Sequence, residues 1–194
     1  MYKHFFKPLI DYSVAIGLII LLIPIWIIIP AIIKISSRGP IYFLQNRLGK
    51  NGEIFQIVKF RTMTNEARKP SQTTNADPDV TLVGKFLRRT KIDELPQLFN
   101  IVKGDMSLVG PRPSLPELQS KFDEVGKSRL LAKPGTTSLA ACKGGIFLTW
   151  PERWIYDKYY VENISLWLDI LVVFKTLVVI VMGEKFYYKG PSNP

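Results

Sequence analysis

The sequence contains very few of the residues that most often act as nucleophiles, bases or soft metal ligands. Cys142 is the one cysteine and His4 the one histidine, and neither a Walker A loop nor a G-x-G-x-x-G motif is present. An intrachain disulfide is therefore excluded, and Ser–His or Cys–His catalysis and a Cys/His zinc site are disfavoured. Any nucleophile or base has to come from Asp, Glu, Lys or Tyr, and any phosphate has to be held by Arg, Lys, a helix terminus or a metal.

Basic residues are in excess, and apolar residues are abundant. The 194 residues include 26 Lys and Arg against 16 Asp and Glu, and 47% are hydrophobic. Net positive charge favours anionic partners such as phosphorylated substrates, lipid headgroups or nucleic acid. High apolarity favours the membrane surface. A nucleic-acid-binding domain is disfavoured, because the aromatic residues cluster near the apolar C-terminal segment and no recognition motif is present.

The N-terminal apolar segment, residues 14–33, contains no charged residue. It is long enough to cross a ~30 Å hydrocarbon core as a helix, and longer than the ~7–15 apolar residues of a signal peptide. Pro24 lies mid-segment and removes a helical hydrogen bond, and basic residues lie on both sides, such as Lys7 and Lys34. These features fit a helix-break-helix that enters and leaves by the cytoplasmic face, and they also fit an ordinary kinked transmembrane helix.

A second apolar stretch, residues 164–182, is interrupted by Asp169 and Lys175. Trp and Tyr residues, which prefer the headgroup level, cluster just before and within it. We expect helices that lie in the membrane interface, with a second, weakly hydrophobic span as the alternative.

Between these segments lies a charged region that predicts a small cytoplasmic domain. The sequence therefore predicts an α+β, mainly helical, monotopic membrane protein divided into residues 1–35, 36–163 and 164–194. Residues 41–44 and 54–62 are typical of a short β-hairpin with its turn at 49–52, and residues 64–81 of a long surface loop. Lys59 and Arg61 lie on one face of the second strand, because side chains alternate along a strand. That face is either solvated or part of a site.

Two adjacent carboxylates follow a basic stretch that includes Arg88. Asp93 and Glu94 fall near the start of a helix predicted over residues 92–102, with Thr90 as N-cap and Gly104 as terminator. An ionised aspartate at a helix start can act as a nucleophile toward phosphorus. Alternatively, Asp93 is simply the acidic member of a capping box with Thr90.

A rigid turn, Gly110-Pro111-Arg112-Pro113, holds a second basic group. Its guanidinium can grip a phosphate, or it can form a structural salt bridge with Asp105. Mg²⁺ is usually bound by one or two carboxylates and substrate phosphates. Asp93, Glu94 and a bound diphosphate would supply that set.

Four motifs together resemble the small monotopic phosphoglycosyl transferases of bacteria. They are KFRTM at 59–63, DELPQLFN at 93–100, KGDMSLVGPRP at 103–113 and KPG at 133–135. The resemblance covers nearly the whole chain.

The resemblance implies a re-entrant helix broken near Pro24 and a reaction in which Asp93 attacks the sugar-bearing phosphate of a UDP-sugar. UMP would leave, and undecaprenyl phosphate would take the phosphosugar from the aspartyl enzyme. Glu94 would assist as metal neighbour or base, with Mg²⁺ as cofactor. Lys59, Arg88 and Arg112 would neutralise phosphates, with membrane lipid as a further partner and a homodimer left open.

One stretch departs from the family pattern. After the PG turn, members commonly have Gln, Asn and Arg where this chain has Ala141, Lys143 and Gly145. Those polar groups would contact the donor, so the resemblance implies a different sugar or compensation by Lys143. A non-catalytic membrane-anchored scaffold of the same fold is the competing hypothesis, and activity of an Asp93→Asn variant separates the two.

Overall fold

The computed structural model describes residues 1–64, 79–183 and Phe186, and it is mainly helical with two small sheets. The predicted α+β, mainly helical class is confirmed. The predicted loop at 64–81 falls largely outside the described residues. The three-part division of the chain stays a prediction. The α-helices are α1 (Lys7–Leu21), α2 (Ile23–Ser36), α3 (Leu82–Thr90), α4 (Gln97–Lys103), α5 (Glu124–Ser128), α6 (Leu139–Lys143), α7 (Trp150–Glu162) and α8 (Leu166–Met182). The strands are β1 (Tyr42–Leu48), β2 (Ile54–Phe60), β3 (Ser107–Val109) and β4 (Gly135–Thr137).

The N-terminal apolar segment is broken into α1 and α2 at Leu22, which leaves the helical region (φ −96°, ψ 19°). Pro24 follows in the first turn of α2, where a missing N–H is tolerated. The indole N–H of Trp26 reaches back across the break and donates to the carbonyl of Ile19 at 2.9 Å. A π-helical turn, Tyr2–Phe6, leads directly into α1. Together they form Tyr2–Leu21, which among the described residues is the one helix long and apolar enough to cross a bilayer.

Both halves of the N-terminal segment pack against the rest of the chain. Ala15 of α1 is fully buried in a cluster with residues of β2 and α4, such as Ile57 and Leu98. Ile33 of α2 is buried in a second cluster with Phe60 and with α3. The segment therefore lies along the domain and fixes one side of its core.

The predicted hairpin is present, and its first strand is longer than expected. β1 pairs antiparallel with β2, with Leu44 opposite Val58 and Leu48 opposite Ile54. The turn has left-handed residues at Asn51 (φ 58°) and Gly52 (φ 81°). The predicted strand ended at residue 44, but backbone pairing to β2 carries it through the polar Gln45-Asn46-Arg47 to Leu48.

The segment bearing the two carboxylates folds differently from the prediction. Thr90 is the last residue of α3 and its hydroxyl donates to the Phe86 carbonyl at 2.9 Å, so it caps no following helix. Lys91 then adopts a left-handed conformation (φ 59°), and residues 92–94 form one 3₁₀ turn. α4 begins only after Pro96, whose ring leaves no N–H to donate. The end of the helix at Gly104 (φ 94°) is confirmed.

Candidate active site

Glu94 is the centre of an ion-pair cluster formed by three separate elements. Lys59, near the end of β2, donates to Glu94 Oε1 at 2.6 Å, and Arg112, on the turn after β3, donates to the same oxygen at 2.5 Å. The side chain of Glu94 is 13% exposed, that of Lys59 19% and that of Arg112 50%. Of the two alternatives for the strand face that carries Lys59, the structure therefore favours a site over a solvated face. Arg112 pairs with Glu94 rather than with Asp105.

The cluster fixes the charge state of Glu94. Burial alone would raise the pKa of Glu94, but the nearby Arg112 and Lys59 outweigh it and hold that pKa far below its ordinary value. Burial also lowers the pKa of Lys59, and the negative charge of Glu94 opposes that shift. Glu94 is therefore an ionised acceptor whose charge is shared between two cations, and it is a poor general base.

Asp93 lies beside this cluster in a different environment. The residue is 8% exposed, and its buried Oδ1 has no hydrogen-bond partner within the described parts of the chain. Burial, and then the charge of Glu94, raise the pKa of Asp93 to about 6, against opposing effects of Lys59 and of two further cations. Asp93 lies on a short 3₁₀ turn rather than at the start of the predicted helix, and its carboxyl is deeply buried, so it ionises only above about pH 6.

The two other predicted basic residues have different surroundings. Arg88 lies close enough to lower the pKa of Asp93, and its Nε donates to the Thr62 hydroxyl at 2.9 Å. Arg61 is 4% exposed and its Nη2 donates to the carbonyl and hydroxyl oxygens of Ser37, at 2.8 and 2.7 Å. The structure thus brings Arg88 to the site, whereas these bonds of Arg61 tie the end of β2 to the residues after α2.

The backbone around Arg112 is held through four consecutive carbonyl groups. Residues 111–114 each present a carbonyl oxygen that accepts one hydrogen bond from another part of the chain. In order, the donors are the Gly135 amide (3.0 Å), Arg129 Nη2 (2.6 Å), Arg47 Nη1 (3.2 Å) and the Leu48 amide (2.8 Å). Arg129 is itself fixed by a buried salt bridge to Asp157 of α7 at 3.1 Å. The Arg112 guanidinium therefore reaches Glu94 from a rigid support.

Lys143, the predicted compensating residue for donor binding, lies at the end of the short helix α6 and is exposed. α6 packs against α7 and α8 through Leu139 and Cys142. No hydrogen bond or salt bridge joins Lys143 to the Asp93–Glu94 pair in the part of the chain that the structure describes. Its role in donor binding stays a prediction.

Sequence reasoning missed two residues at this site, Arg47 and Gln97. Both line a pocket next to the Glu94 cluster, together with Ile57, Lys59, Arg112 and Pro113. Arg47 was missed because the first strand was predicted to end too early, and Gln97 because it was taken as an ordinary helix residue. The one available signal was that a polar Gln follows Pro96 at the first position of a helix.

The carboxylates fit Mg²⁺ only in part. Within the described residues no group of three or more His, Cys, Asp or Glu side chains could enclose a metal. Glu94 already accepts bonds from Lys59 and Arg112, whereas Asp93 Oδ1 is unpartnered. One carboxylate oxygen with substrate phosphates and water is a common Mg²⁺ set, so Asp93 fits that role better than Glu94.

Comparison with known proteins places this geometry in a family context. The sequence profile of the bacterial sugar transferases matches residues 2–183. A UDP-N-acetylgalactosamine-undecaprenyl-phosphate N-acetylgalactosaminephosphotransferase from Aeromonas hydrophila is 40% identical over 187 residues, covering 92% of this chain and 44% of the relative.

Two further relatives differ in length. The exopolysaccharide production protein ExoY of Sinorhizobium fredii is 33% identical, covering 93% of this chain and 88% of the relative. A UDP-glucose:undecaprenyl-phosphate glucose-1-phosphate transferase of Klebsiella pneumoniae is 39% identical, covering 89% of this chain and 39% of the relative. The chain thus spans under half the length of some relatives and most of the length of others.

Proposed function

The chain belongs to the bacterial sugar transferase family, and from this premise we propose that it transfers a phosphosugar from a UDP-sugar to undecaprenyl phosphate. The observation that supports the proposal is that the two adjacent carboxylates have different partners. Glu94 is bonded to two cations, whereas buried Asp93 beside it has an oxygen with no partner. A carboxylate with an unengaged oxygen next to fixed positive charge suits attack on a phosphate.

The reaction proceeds in two steps on one aspartate. An oxygen of ionised Asp93 bonds to the sugar-bearing phosphorus while the bond from that phosphorus to the bridging oxygen breaks, and UMP leaves with the bonding electrons. An oxygen of undecaprenyl phosphate then bonds to the same phosphorus and displaces Asp93 as a carboxylate. A phosphate monoester is largely dianionic above pH ~6, so the second attack requires no strong base.

Glu94 acts in this scheme by holding cations in position. Its two bonds hold Lys59 and Arg112 at the site, where their positive charge would stabilise the charge that develops on the transferring phosphoryl group. Lys59 also lies close enough to Asp93 to lower the pKa of that carboxyl. The low pKa of Glu94 argues against the role of base to the acceptor. Arg112 is half exposed, so an incoming phosphate would be able to reach it while it is paired with Glu94.

Mg²⁺ is the proposed cofactor. The Asp93 oxygen that does not attack phosphorus would contact the ion, and the diphosphate of the donor would supply further ligands. When bound, the ion would neutralise phosphate charge and stabilise the leaving group. Lys59 and Arg112 supply fixed positive charge from the chain itself.

The membrane arrangement that we propose is monotopic, at the cytoplasmic face of the inner membrane. Lys7, near the start of α1, forms a salt bridge with Asp169 of α8 at 2.8 Å, and Ile33, near the end of α2, packs against Phe60. Because both ends of the segment contact the same domain, it would enter and leave the bilayer on one side. A span of ~30 Å would carry the two ends apart.

α8 would rest in the same interface. One face of this helix packs inward through Asp169, Val172 and Val179. Its opposite face is apolar and exposed, and consists of Leu166, Trp167, Ile170, Phe174, Leu177 and Val181. Such a helix buries its apolar face at the headgroup boundary.

The test of the chemistry is UMP release by the purified, membrane-folded chain with Mg²⁺ and undecaprenyl phosphate. The donor panel includes UDP-N-acetylgalactosamine, UDP-glucose and UDP-galactose. Release with one donor, lost in Asp93→Asn, is the expected result. The value of kcat/KM should fall tenfold per pH unit below about pH 6, because the nucleophile must be ionised. Full activity in Asp93→Asn would eliminate the aspartyl intermediate.

The test of topology is cysteine labelling. Single cysteines at Lys3 and Arg38, in a chain with Cys142 replaced by alanine, should both react only from the cytoplasmic side. Labelling of position 3 from the opposite side to position 38 would show that the segment spans the membrane.

A further inference from the structure

The pocket beside Glu94 contains more positive charge than the carboxylate of Glu94 balances. Arg47, Lys59 and Arg112 all line it. Glu94 pairs with Lys59 and Arg112, whereas Arg47 forms no salt bridge with any carboxylate in the described residues. Burial, and then the charge of Arg112, lower the pKa of Arg47 to about 10, against the opposing charges of Glu94 and Glu117. An anion bound in the pocket would further favour the charged form of Arg47.

Arg47 is fixed in place by neutral partners. Its Nη1 donates to the Pro113 carbonyl at 3.2 Å and its Nη2 to Gln45 Oε1 at 2.5 Å. Its Nε is buried without a hydrogen-bond partner in the described structure. A guanidinium has five N–H groups, so donors remain for a ligand after both bonds are made.

Gln97 adds a neutral donor to the same pocket. The residue is 2% exposed and lines the pocket, and its side chain makes no hydrogen bond within residues 1–64 and 79–183. Its amide atoms are not fully buried, so they can hydrogen-bond a ligand with acceptor oxygens in the pocket.

We propose that Arg47 and Gln97 form a phosphate subsite of the pocket, distinct from the position of the phosphorus that Asp93 attacks. The ligand is a phosphate ester dianion, because the pocket offers an unpaired cation and an amide donor and lacks an uncompensated carboxylate among the described residues. This inference rests on the proposed function, in which two such groups meet: the nucleoside phosphate of the donor and the phosphate of the polyprenyl acceptor.

The experiment measures binding rather than turnover. The full chain in nanodiscs is titrated calorimetrically with UMP and, separately, with dimethylallyl phosphate, a water-soluble prenyl phosphate. The variants are Arg47→Gln and Gln97→Met. The controls are Lys158→Gln, which removes one exposed positive charge, and Gln56→Met, which makes the same side-chain change on an exposed strand position.

Arg47→Gln should weaken binding of one of the two ligands roughly tenfold or more, and Gln97→Met roughly threefold to tenfold. The affected ligand identifies the source of the phosphate. Gln97→Met breaks no hydrogen bond of the described structure, so its effect cannot arise from displacement of the turn at Pro113. Gln97→Glu, which adds an anion, should weaken binding more than Gln97→Met does.

Unchanged affinity for both ligands in all three pocket variants, with thermal stability retained, would overturn the subsite. That outcome leaves the proposed function standing if the wild-type chain still releases UMP and Asp93→Asn does not. Conversely, the wild-type chain could turn over no donor while the pocket variants bind phosphate more weakly than wild type does. That outcome would support the subsite and overturn the proposed function.

Discussion

Replacing Asp93 by asparagine should stabilise the fold while it removes the chemistry. Burial raises the pKa of Asp93 from 3.8 to about 6. A shift of about two units corresponds to roughly 3 kcal/mol of preference for the neutral form, at 1.36 kcal/mol per unit. Asparagine has nearly the same shape and no charge, so at neutral pH the variant should gain up to about 3 kcal/mol in free energy of unfolding.

The direction of the pKa shift of Asp93 determines how this gain in stability depends on pH. The folded-state pKa lies above the unfolded value, so the folded chain binds the proton more tightly than the unfolded chain does. The stability that protonated Asp93 gives the wild-type fold is therefore present below about pH 4 and is lost as the pH rises through about 6. The stability difference between variant and wild type should be near zero at pH 4 and reach its full value above pH 7.

The assay is thermal unfolding followed by tryptophan fluorescence, with both proteins in the same detergent, from pH 4 to pH 8. For a chain of this size about 1 kcal/mol shifts Tm by roughly 2–4 °C, so an upshift of several degrees is expected at pH 7.5. Glu162→Gln, at an exposed carboxylate, is the matched neutralisation and should leave Tm unchanged. A variant no more stable than wild type at pH 7.5, or equally stabilised at pH 4, would refute the reasoning.

Two further substitutions test the other charged contacts. Glu94→Gln leaves Lys59 and Arg112 without their shared carboxylate, so UMP release should fall by about 10²-fold or more; a rate within twofold of wild type would show that Glu94 does not organise the site. Lys7→Met leaves Asp169 buried without its cation and should destabilise the chain by roughly 3 kcal/mol; an unchanged Tm in detergent would mean that the pair contributes nothing to the docking of α1.

The elements predicted correctly from sequence are those with strong local signals. The hairpin turn has Asn51 and Gly52 in the left-handed conformation, and the helix after Pro96 ends at left-handed Gly104. Glycine marks such positions because it has no Cβ, and asparagine because its short polar side chain tolerates positive φ. The break in the N-terminal segment was likewise indicated by Pro24, although the residue that leaves the helical region is Leu22.

The parts that sequence reasoning missed depend on contacts between distant segments. Thr90 has the chemistry of an N-cap, but its hydroxyl instead bonds the preceding turn of α3. Arg47 and Gln97 come together with Lys59 only because β1, β2 and α4 fold around one pocket. Local patterns contain no information on which strand residue will face which helix start, so neither residue could be assigned to the site in advance.

The buried carboxylates of α1 and α8 are hydrogen-bonded by side chains from other parts of the chain. Asp169 of α8 accepts hydrogen bonds from Lys7 and from Tyr160, and Asp11 of α1 accepts one from Ser107 of β3 at 2.6 Å. Burying either carboxylate without these partners would cost several kcal/mol. Any other position of α1 would break these bonds, so the network selects one position of α1 against β3. That strand leads directly into the turn that carries Arg112, so the packing of α1 also helps to fix the position of that turn.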